Sequence, residues 1–437
     1  MKFVNCWEED DRVYLKTKTE LLIEQPEWYF TIEKKDASEN RDILKDCLRR
    51  KAITRFEDEG TGWIRIYTPY LKRKTLILYL RSMMKTYEDD VRLWQRYLID
   101  NEIELETEQS VLYFDIECED LKRGLNAGNE KIVSIAVIGS DGREDVFYSI
   151  KSEKTILKKF IERMNEYDIL AGWFSEGFDL VAIKKRCDLN KIPFDCRVTE
   201  WSAKDLGGLD SVRKQGRERA RPEKFNHIDL MQKMKEMHYR DTELIKKVRS
   251  FSLGSVSKVI LGEDKVDLNG ESIYNLSRNN PELLKKYNLQ DTRLLKKLDD
   301  KLQIIKQKLI EHAICGARIN DYTSHGKIDP FALRAAKRFN KRLPSRPDQK
   351  KIEDSFRDNV SDVSAIDVGN KAIKKKGDYA GGFVFDPTTG IHPYIHVFDF
   401  SSLYPSIIKT FNVSPETYVG DKRDGDTIRM PDGATFS

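Results

Sequence analysis

VLYFDIECE, residues 111–119, reads as a β-strand that carries two carboxylates on one face. Val111, Tyr113, Phe114 and Ile116 are strand formers, and the side-chain period of two turns Asp115 and Glu117 to the same side. Two carboxylates held together in a sheet repel, so either one keeps its proton or a divalent cation lies between them. Read alone, the segment also fits a strand whose polar positions face solvent. Two more acidic motifs follow in chain order, GFDL at 177–180 and YNLQD at 287–291. The last falls on a helix announced by Asn280 as N-cap and Pro281 at the first helical position. Its apolar stripe is expected to run through Leu284, Tyr287, Leu294, Leu295, Leu298, Leu302 and Ile305. Asp291 lies inside that stripe, where a carboxylate costs several kcal/mol, roughly, unless a positive charge meets it. An aspartate at the half-exposed edge of the stripe is the alternative.

Together the three motifs resemble the proofreading exonuclease of family B DNA polymerases, whose signatures are Asp-x-Glu, a second motif ending in Phe-Asp, and Tyr-x-x-x-Asp. The resemblance implies that Asp115, Glu117, Asp179 and Asp291 hold two metal ions and that Tyr287 orients the attacking water. The family's second motif usually has Asn after Gly-Trp or Gly-Tyr. Here Gly172 and Trp173 are followed by Phe174, which removes an amide near the site and implies altered or slower cutting.

A fourth motif, VFDFSSLYPSII at 397–408, reads as a strand over 396–400 ending at Asp399, with Pro405 suited to the first turn of a following helix. Such a turn leaves backbone N–H groups free for phosphates, and an Asp at the strand's end can hold the bridging metal. A strand-turn-helix without a ligand is the plainer reading. DFSSLYPSII closely resembles motif A of the same family. By that resemblance Asp399 and the Phe400 carbonyl bind Mg²⁺ or Mn²⁺, two ions per active site. Ser401, Ser402, Leu403 and Tyr404 contact the triphosphate, and Tyr404 lies under the sugar to exclude a 2′-hydroxyl. Tyr379, Gly381 and Gly382 match the family's Tyr-x-Gly-Gly-x-Val element, which touches template DNA; an ordinary Gly-Gly turn is the alternative. Asn412, Val413, Ser414 and Pro415 continue in the style of archaeal members.

The implied fold is α/β and multidomain. A mixed α/β N-terminal domain is expected over 1–107, a ribonuclease-H-like 3′→5′ exonuclease domain over 108–315, a connector over 316–365 and the start of the polymerase palm over 366–437. The N-terminal domain is expected to carry β-rich runs at Trp63–Tyr67 and Thr75–Leu80 and a helix near 84–99. An Asp141-Gly142 hairpin is expected inside the exonuclease domain. The implied function is template-directed DNA synthesis with proofreading. Expected partners are primer-template DNA, deoxynucleoside triphosphates, a sliding clamp and a C-terminal polymerase fragment or subunit. That last partner is expected because the fingers signature Asn-Ser-x-Tyr-Gly and the second palm motif Asp-Thr-Asp are not in this sequence. The chain is therefore expected not to polymerise unaided, as a split subunit or a truncated reading of a longer gene. The competing reading is a stand-alone DNA-binding or DNA-trimming protein with a relic palm motif.

Composition is compatible with this and adds little. The 437 residues are 39% hydrophobic and 34% charged, with a net charge of only +4, so affinity for phosphates must come from local clusters. Two are visible, Arg213, Lys214, Arg217, Arg219, Arg221 and Lys224 in a loop, and Lys374, Lys375 and Lys376 before the Gly-Gly element. Six cysteines at 6, 47, 118, 187, 196 and 315 have no paired metal spacing, and no apolar run reaches membrane length. A reduced, cytoplasmic and nucleoid-associated protein is expected.

Overall fold

A computed structural model describes residues 1–60, 62–120, 127–200, 218–238, 247–268, 270–321, 324–345, 390, 396, 398–414, 417, 428–429 and 435–436. Tyr379, Gly381, Gly382, the Lys374–Lys376 run and Arg213, Lys214 and Arg217 lie outside the described residues. The chain divides into two compact units, Met1–Pro347 and Asp348–Ser437.

The first unit opens with two small antiparallel sheets. Asn5–Glu9, Arg12–Lys16 and Leu21–Glu24 form one; Trp28–Glu33, Trp63–Thr68 and Arg55–Asp58 form the other, in that spatial order. Thr75–Leu80, expected as β-rich, is instead part of the helix Arg73–Arg81. Leu76, Ile77 and Leu80 are buried while Leu78 and Tyr79 are exposed, a one-sided pattern of period 3.6 that a strand cannot bury. The helix expected near 84–99 narrows to Leu93–Asp100.

Next comes a five-stranded sheet in the order Glu144–Tyr148, Ile132–Gly139, Val111–Cys118, Ile169–Gly172, Asn226–Asp229. The first two pairings are antiparallel and the last two parallel, so Val111–Cys118 is the central strand and joins both halves. The Asp141-Gly142 turn forms as expected, with Gly142 at φ 85° and its N–H donating to the Gly139 carbonyl. Leu112, Phe114, Ile116 and Cys118 turn to one side and share a core with Ile156, Phe160, Leu180 and Val181 from the helices Glu153–Met164 and Asp179–Leu189. Val111 and Tyr113 turn to the other side and pack with Leu294, Leu295 and Leu298.

Those leucines belong to the helix Pro281–Leu302, which begins as expected, with the Asn280 side chain accepting from the Leu283 N–H at 3.2 Å and Pro281 in the first turn. The helix stops earlier than the stripe suggested. Gln303 is left-handed at φ 53°, and Ile305 is buried from a new helix, Ile304–Cys315. Leu295, fully buried, ties this helix to the core, so Leu295→Ala is expected to cost about 2–5 kcal/mol. A lower urea midpoint at unchanged m value is the check.

In the second unit the described elements are the helix Leu403–Thr410 and the short antiparallel pair Ile428–Arg429 and Thr435–Phe436. The helix starts after a left-handed Ser402 and takes Pro405 into its first turn, as expected. The strand expected over 396–400 does not form among the described residues: 398–400 carry no strand ladder. A strand persists only where a neighbour satisfies its backbone groups.

Candidate metal centre

The alternation of the central strand sends Asp115 and Glu117 to the side that faces the Pro281–Leu302 helix, and that helix presents Asp291 to them. One carboxylate oxygen from each of Asp115, Glu117 and Asp291 lies within 4.8 Å of the other two. A cleft of about 270 Å³ opens over them, lined also by Asp179, Lys265 and Tyr287. Asp179, first residue of its helix, is buried in this cleft, yet it is not one of the three converging carboxylates.

Two polar neighbours set the geometry. Asn288 donates from Nδ2 to Asp115 Oδ2 at 2.8 Å and accepts at Oδ1 from the Ser134 hydroxyl at 2.7 Å, which fixes both the amide and the carboxylate. Ser134 is the cross-strand partner of Glu117. Lys265 donates from Nζ to Asp291 Oδ2 at 2.5 Å and reaches the Tyr287 hydroxyl at 3.5 Å. Neither Asn288 nor Lys265 was singled out from sequence. Asn288 stands inside YNLQD and could have been. Lys265, 26 residues before Asp291, gives no local signal, because only the fold brings it back to the helix.

The cluster is short of positive charge. Burial, then the charges of Asp291, Glu117 and Asp179, hold the Asp115 carboxyl well above its ordinary range. Burial and Asp291 push Glu117 up to about 8. Burial raises Asp179 to about 7 against the pull of backbone N–H groups, and burial raises Asp291 although Lys265 opposes it. Asp291 Oδ1 is buried with no hydrogen-bond partner. An orphaned oxygen beside two raised carboxyls is the condition a hard divalent cation relieves, and an all-oxygen donor set suits Mg²⁺ or Mn²⁺. The residues present therefore fit a metal.

In the second unit the expected nucleotide-binding residues Asp399, Phe400, Ser401, Ser402, Leu403 and Tyr404 are all exposed. Asp399 belongs to no cluster of three metal-ligating side chains among the described residues. All six cysteines are free, five of them buried. Among the described residues no helix is long and apolar enough to cross a membrane.

Comparison with known proteins gives two family matches, the RNase_H superfamily over residues 112–303 and DNA polymerase family B over 315–436. A DNA polymerase of Thermococcus sp. (strain 9oN-7) is 26% identical over 93% of this chain and 52% of its own length. One from Desulfurococcus sp. (strain Tok) is 25% identical over 77% of this chain and 41% of its own. The chain thus spans about half the length of the curated relatives it matches. The family B DNA polymerase structure from Pyrobaculum calidifontis shares the fold at a TM-score of 0.62 and 19% identity, over all of this chain and 61% of that one.

Proposed function

From its similarity to archaeal DNA polymerases of family B, we propose that the chain belongs to that family, that its central sheet carries a 3′→5′ proofreading exonuclease and that motif A serves a DNA polymerase site. The observation that supports the first part best is the convergence of Asp115, Glu117 and Asp291 beside an unpaired buried oxygen. In this reading Asp115, Glu117, Asp179 and Asp291 hold Mg²⁺ or Mn²⁺. When bound, such ions supply a Lewis acid for the scissile phosphate and lower the pKa of water.

The protein's own groups do the rest. Asn288 holds one oxygen of the Asp115 carboxylate and so fixes how that side chain meets the cleft. The Tyr287 hydroxyl, held protonated because burial and Glu117 raise its pKa, orients the attacking water by donating to it. Lys265 holds its proton through Asp291 and opposes the burial that raises that carboxyl. For the polymerase part, Asp399 is the metal ligand and Ser401, Ser402, Leu403 and Tyr404 cradle the triphosphate, with primer-template DNA and deoxynucleoside triphosphates as substrates. Tyr379, Gly381 and Gly382 contact the template. A further polymerase portion and a sliding clamp are the proposed partners.

A 5′-labelled single strand incubated with the purified chain tests the exonuclease. Mg²⁺ or Mn²⁺ should give a ladder shortened from the 3′ end, and EDTA should stop it. Cleavage that ignores EDTA, or that starts internally, overturns the assignment.

Lys265 gives a finer test of the same site. Lys265→Met removes the charge that opposes the rise of Asp291, so the carboxylate should protonate at higher pH. Trimming at pH 7 should fall about 10- to 100-fold, as for loss of a group supporting a metal ligand. Raising the pH toward 9 should recover part of it, because the limb lost is the acid one. A pH–rate profile that drops uniformly would contradict this role.

A further inference from the structure

Phe174 sits where the chain departs from its family's usual Asn, and its backbone is left-handed at φ 56°. Asparagine tolerates that region; a bulky aromatic there is an outlier that persists only where its surroundings hold it. The surroundings do hold it. The Phe174 N–H donates to Asp229 Oδ1 at 3.1 Å, and Asp229 Oδ2 takes the Glu176 N–H at 3.2 Å, so one buried carboxylate clamps both sides of the turn. The Phe174 carbonyl accepts from the N–H groups of Gly177 at 3.0 Å and Phe178 at 3.1 Å. The ring rests on Gly177, where an added Cβ would come within 2.5 Å of its Cζ. Gly177 is thus the seat of the ring.

What the ring is held for follows from where it is held. Phe174 is half-buried and lines the same cleft as Asp115, Glu117 and Asp291, as do Trp173 and Phe178. The cleft therefore offers both an acidic floor and aromatic rings. A nucleotide has the matching halves: a phosphate that a metal-loaded acidic floor takes, and a base whose face an aromatic side chain accepts whatever its identity. Resting on the exonuclease reading above, we propose that Phe174 is the stacking platform for the 3′-terminal nucleobase of a single DNA strand, in place of the amide contact an asparagine would make. The exchange makes recognition at this position depend on the base face and not on hydrogen bonding.

The test uses an oligonucleotide carrying 2-aminopurine at its 3′ end, bound to the full chain with Ca²⁺ in place of Mg²⁺. Stacking should quench the probe in the unaltered protein and in Phe174→Tyr. In Phe174→Ala and Phe174→Asn the quench should vanish, with affinity about tenfold weaker. Phe174→Asn should melt no lower than the unaltered protein, since asparagine accepts the left-handed backbone, which separates stacking from folding. Quenching in the alanine and asparagine variants as strong as in the unaltered protein, or none in the unaltered protein, overturns the proposal. Trimming is followed in parallel with Mg²⁺. A Phe174-dependent quench without trimming would fail the exonuclease reading and leave the stacking platform standing, whereas trimming with a quench indifferent to Phe174 would do the reverse.

Discussion

Asp115→Ala should lower the rate of 3′-end trimming at least about 10³-fold, equivalent to some 4 kcal/mol of transition-state stabilisation, the scale on which metal-ion catalysis operates. Asp115 is on the central strand, it converges with Glu117 and Asp291, and it is the carboxylate that Asn288 and Ser134 orient. Its removal deletes a metal ligand and leaves that hydrogen-bonded chain without a target. The loss should not come from unfolding. In the metal-free protein Asp115 is a half-buried carboxyl crowded by like charges, so the variant should melt at the same temperature or higher. Asp291→Ala should lose trimming to a similar degree but with a stability cost, because it strands the half-buried Lys265 ammonium without its carboxylate. Single-turnover trimming alongside thermal melts separates the two cases. Trimming that survives loss of both Asp115 and Asp291 would refute the site.

The metal-free protein should also lose stability as the pH rises, and a divalent ion should restore it. Glu117 at about 8 and Asp179 at about 7 have folded-state values above their ordinary 4.5 and 3.8. Between those limits the folded state binds more protons than the unfolded one. Their contribution is fully present below the ordinary carboxylate range and is lost as the pH climbs through 7 to 8. Lys308 is buried and lowered to about 8, which acts in the opposite sense, while Asp229 at about 7 acts in the same one. The comparison that isolates the cluster is therefore with Asp115→Asn. Between pH 5.5 and 8.5 the melting temperature of the metal-free protein should fall by on the order of 5 °C more than that of the variant. Adding Mn²⁺ should raise it more at pH 8.5 than at pH 5.5, because the ion displaces protons from its ligands. A metal effect independent of pH would mean that the carboxyls are already ionised without it.

The parts of this site that sequence made legible are those governed by local periodicity. A period of two put Asp115 and Glu117 on one face, and an N-cap followed by proline fixed the start of the helix that carries Asp291. Where the reading went astray, a non-local term decided. Thr75–Leu80 is rich in strand formers, but burial of Leu76, Ile77 and Leu80 against the N-terminal core makes it a helix. Ile305 continues the stripe in spacing, yet the left-handed Gln303 breaks the helix before it. Lys265 was invisible because its partner is 26 residues away, and the strained backbone of Phe174 is a property of the folded turn and not of any local pattern. Motif A was legible as a motif only. The strand expected before it has no ladder partner among the described residues.

Anomalous diffraction from crystals of the chain soaked in Mn²⁺ tests the metal centre most directly. A manganese peak among Asp115, Glu117 and Asp291, absent from Asp115→Ala crystals, is the predicted result. Density with no anomalous peak there, and Asp291 Oδ1 still without a partner at saturating Mn²⁺, would contradict it.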